Sequence, residues 1–428
     1  MKKNLLTILS ALSLVCIFFS EAKATHIMGM NVSYKHIVAD TYVVTLDFWR
    51  FCGGPAFTGT TPPPPSTGVP SSYLVICPDL ATSEYRSAQF DTLIDVSPIC
   101  PAQTQFLNSC VAGPTVGLLG IEWTIMTDTL VLSELTQSTC SEFLILYQSG
   151  ARNSGANYTG QPSIASWTTL RQQSYPNNSS PLFTTNKPIP FFCDGQDVTY
   201  NWGIVEFDGD SLYWELDTAM QNFNLTTGWN QIPYSGSYTG IQPMNGVTIN
   251  NATGELQFTA YKDPALYASN YAIAVKVSEY DPESGVRIST TQRDVQFIVT
   301  DSCENLAPMQ DTNGVLNLTG TGAQVGPNEI EVCVGQNFAF DVAVFDLDTS
   351  GAYSNDSLTI TCNIDQVLPG ATWSINGTNP DTVHIEWNAV PVSQTFVPFN
   401  ITVEDDFCPV TGFNIFNYII RIVPTTYL

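Results

Sequence analysis

Hydrophobic and polar positions alternate along most of this chain in short runs of period two. Examples are TYVVTLDFW (41–49), LVLSELT (130–136), EFLILYQ (142–148), YAIAVKVSEY (271–280), RDVQFIVT (293–300), FAFDVAVFDL (338–347), VPFNITVEDD (397–406) and NYIIRIV (417–423). Each is rich in β-branched and aromatic residues, and clusters of Gly, Pro, Asn and Asp separate them. No capped amphipathic helix interrupts the series. Many short strands with turn chemistry between them predict an all-β protein of tandem sandwiches.

The pattern also repeats. FFCDGQDVTYNWGIVEFDGDSLYWEL begins at Phe191, and EVCVGQNFAFDVAVFDLDTSGAYSNDSLTI begins at Glu331. Cys193, Gly195, Gln196 and Asp208 match Cys333, Gly335, Gln336 and Asp348. Downstream, YAIAVKVSEYD matches VPFNITVEDD, and RDVQFIVT matches NYIIRIVP. The expected organisation is a signal peptide (1–24), an amino-terminal sandwich (25–152), a polar loop or linker (153–186), a second sandwich (187–303), a linker (304–327) and a third sandwich (328–428). TPPPPSTGVP (61–70) reads as a stiff inter-strand loop.

The start of the chain changes the cellular setting. Lys2 and Lys3 precede the apolar run LLTILSALSLVCIFF, and Ala22-Lys23-Ala24 fits a small-x-small cleavage site before Thr25. That run is too short for a membrane span, and no later segment supplies one. The expected location is secreted or at the cell surface. Eleven cysteines become ten once Cys16 leaves with the signal, and in an exported chain an even number favours disulfides. Connectivity is not readable from spacing. The pairs expected are Cys193–Cys303 and Cys362–Cys408.

Charge narrows the partners. With 14 Lys and Arg against 39 Asp and Glu, the net charge is −25, which repels nucleic acid and anionic membranes and could attract divalent cations. Glu206, Asp208 and Asp210 crowd one turn, with Asp281 or Glu283 as further donors. Asp346, Asp348 and Asp405 or Asp406 repeat the theme. Both sets read either as calcium ligands or as solvated acidic turns. Calcium is the one cofactor expected. His26, His36 and His384 fit no metalloprotease spacing, no nucleophile elbow occurs, and no acid pair is marked out, so no enzyme is expected. Trp202 and Trp214 lie in strand patterns and read as core. Trp167 is available for stacking, and Trp229, Tyr234 and Tyr238 lie in the loop-like GWNQIPYSGSYTGIQPMNG, where they could rim a sugar site.

Several segments together resemble the amino-terminal module of large secreted Bacteroidota surface proteins of the gliding-motility-associated or PKD-containing type. They are His26-Ile27-Met28-Gly29, the strand ending Arg50-Phe51-Cys52, and Tyr147-Gln148 followed by Arg152-Asn153. The segment from FDGDSL to SEYD resembles cadherin-like or Ig-like domains found in the same proteins. The resemblance implies a non-catalytic structural or adhesive surface protein, the front portion of a larger one, with extracellular glycans or surface proteins as partners. A carbohydrate-binding module is the alternative. It also implies O-glycosylation at Asp-Ser/Thr-apolar triplets: Thr92, Thr129, Ser211, Thr218, Ser357 and Thr382. The family has a Cys pair just before the Arg-Asn motif, where this chain has Gly150 and Ala151. Cys52 therefore either lacks a partner or takes Cys140, and one of Cys52, Cys77, Cys100, Cys110 and Cys140 pairs across domains or stays free.

Overall fold

Alternation becomes strand almost wherever it occurs. The computed structural model describes residues 27–52, 71–107, 110, 120–136, 138–184, 189–266, 268–301, 305–347, 351–352, 354–388, 390 and 396–423. The signal segment, His26, the proline-rich 61–70, Cys303 and Asp348 lie outside them.

The first unit is built from β1 (Ile27–Val38), β2 (Thr41–Phe51), β3 (Ser72–Cys77), β4 (Thr82–Ser87), β5 (Gln89–Asp95), β6 (Ile121–Val131), β7 (Phe143–Ser149) and β8 (Ile164–Leu170). Strands run in the order β1-β2-β6-β5 on one side and β4-β3-β7-β8 on the other. Their inner faces close over Met30, Val32, Tyr34, Leu46, Phe48, Val75, Ile145 and Tyr147. Cys77–Cys140 and Cys52–Cys110 staple this unit, so Cys52 has a partner, and it is not Cys140.

The second unit contains β9 (Leu182–Phe183), β10 (Phe191–Cys193), β11 (Asp197–Tyr200), β12 (Ile204–Val205), β13 (Ser211–Asp217), β14 (Met220–Asn224), β15 (Gly228–Gln231), β16 (Thr248–Ile249), β17 (Leu256–Thr259), β18 (Ser269–Tyr280) and β19 (Arg287–Thr300). It is not separate from the first. β19 pairs along one edge with β18, and along the other with β8, then β1, then β10. Through β19 the two units share one 14-stranded sheet. Met28, Trp49 and Ile121 of the first unit pack into the second unit's core beside Trp202, Trp214 and Phe297.

This corrects two expected boundaries. The stretch 153–186 is not a linker, because β8 lies inside it between β7 and β19. The polar residues of β8 are largely interior: Thr168 and Thr291 join hydroxyls at 2.7 Å, and Ser166 donates to the Gln292 carbonyl. Polar side chains that satisfy one another can be buried at little cost. Within the expected linker 304–327, the described residues 305–327 likewise carry strands of the third unit.

That unit comprises β20 (Met309–Gln310), β21 (Leu316–Gly320), β22 (Ala323–Gly326), β23 (Glu329–Cys333), β24 (Phe338–Phe345), β25 (Thr359–Cys362), β26 (Ala371–Gly377), β27 (Asp381–Trp387), β28 (Phe396–Glu404) and β29 (Phe413–Val423). Two five-stranded sheets, β20-β24-β27-β26 with β21, and β22-β23-β29-β28-β25, face each other. Phe340, Val342, Trp387, Phe399, Ile401 and Tyr418 fill the space between them. Cys362 is a buried thiol and Cys408 bonds Cys100, so Cys362–Cys408 does not form. The Cys100–Cys408 bridge spans 308 positions and ties the first unit to the third. Of the two alternatives for the odd cysteine of the first unit, a cross-domain bond or a free thiol, it is the first. Cys193 is disulfide-bonded; Cys303, its expected partner, lies outside the described residues.

Candidate functional site

Three of the residues that carry the resemblance, Gly29, Arg50 and Arg152, hold strands together. Gly29 lets β1 approach β19: a Cβ there would come within 2.9 Å of Val295 Cγ1 and 3.1 Å of the Asp294 carbonyl oxygen. Arg50 pairs with Glu122. Arg152 is fully buried, and Nη1 and Nη2 both donate to the Asp294 carboxylate, the first at 2.6 Å. Sequence reasoning had no role for Arg152 because its partner lies 142 positions away.

The acidic corner forms where β12 gives way to the FDGDSL turn. Glu206 Oε1 accepts the Asp208 N–H (2.7 Å), and Oε2 accepts those of Gly209 (2.6 Å) and Asp210 (2.8 Å). Gly209 supplies the positive φ, +88°, that the turn requires. The next strand, β13, pairs Leu212 with Glu279 on β18, which carries Glu279 to the corner. Glu206, Asp210 and Glu279 are all buried, and each offers an oxygen within 4.8 Å of the others. Burial, reinforced by the neighbouring carboxylates, pushes Glu206 up to about 7 and Asp210 up to about 6. Glu279 rises well above the usual carboxylate range for the same two reasons.

Only part of the expected set meets here. Asp208 sits on the exposed turn, where Oδ2 accepts the Ser179 N–H at 2.6 Å. Asp281 Oδ1 caps its own turn, accepting from Glu283 (2.9 Å) and Ser284 (2.7 Å). Glu279 takes the place expected for Asp281 or Glu283. Asp281 lies past the end of β18, and only the pairing of Leu212 with Glu279 singles out the residue two positions earlier.

In the third unit Asp346 and Asp405 hold the corresponding positions. Asp405 accepts from Asn305 Nδ2, Phe407 N (3.0 Å) and Gly412 N (2.8 Å), and burial lifts it to about 7. Asp346 Oδ2 accepts from Ser354 Oγ at 2.8 Å, while Asp406 Oδ1 accepts the Ser357 N–H at 2.8 Å. Donors thus serve this second corner.

The histidines near strand surfaces have local partners. His384 Nδ1 lies 2.6 Å from Asp341 Oδ1, and His36 Nε2 lies 3.1 Å from the Ala39 carbonyl oxygen.

A second feature lies on the outer face of the shared sheet. The β14–β15 hairpin folds over β8 and brings Trp229 to Trp167, with ring centroids 5.5 Å apart and planes tilted by 39°. Phe223 continues the row, 4.9 Å from Trp229. Trp167 and Trp229 border an open groove of about 420 Å³. Its polar rim is internally matched: Lys276 pairs with Glu215 (2.9 Å), Arg287 with Glu142 (2.9 Å), and Gln292 donates to Asp217 (2.6 Å). Tyr234 and Tyr238 are not part of it. The Tyr234 hydroxyl accepts the Ala219 N–H at 3.0 Å, and Tyr238 packs edge-on against Tyr271. Of the expected glycosylation positions, Thr129, Ser211 and Ser357 are exposed, while Thr92, Thr218 and Thr382 are half-buried.

No protein-family model and no curated protein matches the chain. Among solved structures it is similar to a titin A168–A169 fragment at 10% identity, covering 57% of this chain and 98% of that one, with a TM-score of 0.18. Drosophila N-cadherin EC1–3 matches at 10% identity over 68% and 92%, with a TM-score of 0.20. The endo-fucoidan hydrolase MfFcnA4 of glycoside hydrolase family 107 matches at 14% identity over 78% of this chain but 39% of its own, with a TM-score of 0.17. At these scores the fold rests on the strand pairings alone.

Proposed function

We propose that the chain is a non-catalytic extracellular structural or adhesive protein that presents loops from a rigid β scaffold. The observation supporting this reading is the interlock of three units through β19 and the Cys100–Cys408 bond. Disulfides of this kind persist in oxidising compartments. No helix among the described residues is long and apolar enough to cross a membrane. The groove carboxylates Glu215 and Asp217 are held by Lys276 and Gln292 rather than left to act on a substrate. Protease added to intact source cells should digest the chain while a cytosolic marker survives, and the exported chain should begin at Thr25. Protection until lysis would overturn the reading.

One observation favours a second reading, a carbohydrate-binding module: the Trp167–Trp229–Phe223 row beside a polar rim. Because the rim's cations are already paired, the favoured ligand is a neutral glycan. On a glycan array, Trp229→Ala should weaken any neutral-glycan signal about tenfold, the equivalent of about 1.4 kcal/mol for a lost stacking contact. Unchanged binding would remove the groove from consideration.

A further inference from the structure

We propose that Glu206, Asp210 and Glu279 bind a divalent, oxygen-seeking cation of the calcium type, at the seam between the first and second units. The three residues are 6%, 9% and 0% exposed. Each offers an oxygen within 4.8 Å of the other two. Among the described residues, no lysine, arginine or histidine forms an ion pair with any of them. Buried charge of one sign, unopposed, is among the least tolerated arrangements in a folded protein.

An orphaned acceptor points to the missing component. Glu279 Oε2 accepts from the Ser289 hydroxyl and from Asn178 Nδ2 at 3.2 Å. Glu279 Oε1, fully buried on a carboxylate that faces Glu206 and Asp210, has no hydrogen-bond partner. The three backbone N–H groups on Glu206 fix its carboxylate toward the same space. Glu206 Oε1 accepts a single N–H and keeps acceptor capacity for a cation, whereas Oε2 already accepts two. An all-carboxylate set without histidine or thiolate suits a hard cation, and calcium's flexible shell of six to eight oxygens can be completed by carbonyls and water.

The third unit gives the contrast. At the matching corner only two carboxylates among the described residues, Asp346 and Asp405, are buried, Asp406 being exposed, and Asn305 Nδ2 and two backbone N–H groups are directed at Asp405.

The seam position gives the site a consequence. Asn178 Nδ2 contacts Glu279 Oε2 and also Tyr34 Oη of β1, at 3.1 Å. Ser179, adjacent to it, donates its N–H to Asp208. A cation held here would brace the 171–181 segment between β1 and β18 and make scaffold rigidity depend on calcium.

The test uses the full mature chain with its disulfides intact, stripped with EDTA and titrated with calcium chloride. We expect a saturable binding heat and a rise in melting temperature of about 5 °C at millimolar calcium. Glu279→Gln, which keeps the side chain's shape, should weaken calcium binding at least about tenfold, and Asp210→Asn should do the same. Absence of heat together with equal melting temperatures in calcium and EDTA would mean that the carboxyls share protons instead, and would overturn the proposal. So would a calcium response that survives both substitutions. Neither result bears on the extracellular reading, which does not depend on the cation.

Discussion

Arg152→Ala lowers the melting temperature by roughly 10 °C. The guanidinium is fully buried and donates twice to Asp294, once to the Ser163 carbonyl oxygen (3.2 Å) and once to that of Met220 (3.3 Å). Alanine removes all of these bonds and leaves the Asp294 carboxylate as a lone buried anion. Breaking a buried pair from one side costs about 3–5 kcal/mol. In a unit of 150–250 residues each kcal/mol moves the midpoint by about 2–4 °C. The loss is large because Asp294 lies on β19 where β1 pairs with it, while Ile27 of β1 bridges to Arg152 itself. The same variant series separates charge from packing. Arg152→Met combined with Asp294→Leu removes both charges and should recover much of what the single change loses. A melting curve for Arg152→Ala within 2 °C of the parent would show that the pair does not hold the seam.

Much of the strand content is legible in the sequence. Phe338–Phe345 alternates buried and half-buried residues without a break, as a strand with one solvated face must. Legibility drops where a strand has no solvated face: RDVQFIVT reads as a strand, but 287–292, the first part of the same β19, does not. β19 is buried from Ile288 to Val299, yet it contains Thr290, Thr291, Gln292, Arg293 and Asp294. Polarity there marks partners, not solvent, and those partners lie in β8, β13 and the segment after β7. The same confusion makes Ile164–Leu170 look like linker.

The acidic corner is half legible. Glu206 and Asp210 announce themselves by crowding one turn, but Glu279 becomes visible only once the register of β13 on β18 is known. Disulfides are less legible still, because linear spacing does not encode which ends of distant strands meet. The repeat does not help: Cys193 is disulfide-bonded, whereas its counterpart Cys333 is a buried thiol. Matching positions in two sandwiches thus share backbone roles without sharing chemistry.

The remaining expectation with a large effect concerns the shared sheet. β19 is synthesised long after β1 and β8, the first-unit strands it joins, and without it each presents an unpaired edge and the Arg152 guanidinium has no anion. Met28 and Trp49 would also lie uncovered, since both pack into the second unit's core. A chain ending at residue 186 therefore lacks the strand that closes its sandwich. Unpaired edges and uncovered apolar faces favour association over folding.

The direct measurement is a thermal melt of residues 25–186, oxidised and purified alone, beside residues 25–303. The account predicts one cooperative transition for the longer chain, and for the shorter one a broad, non-cooperative signal with aggregation. A sharp transition in the shorter chain near the temperature of the longer would contradict it, by showing that the amino-terminal unit folds without β19.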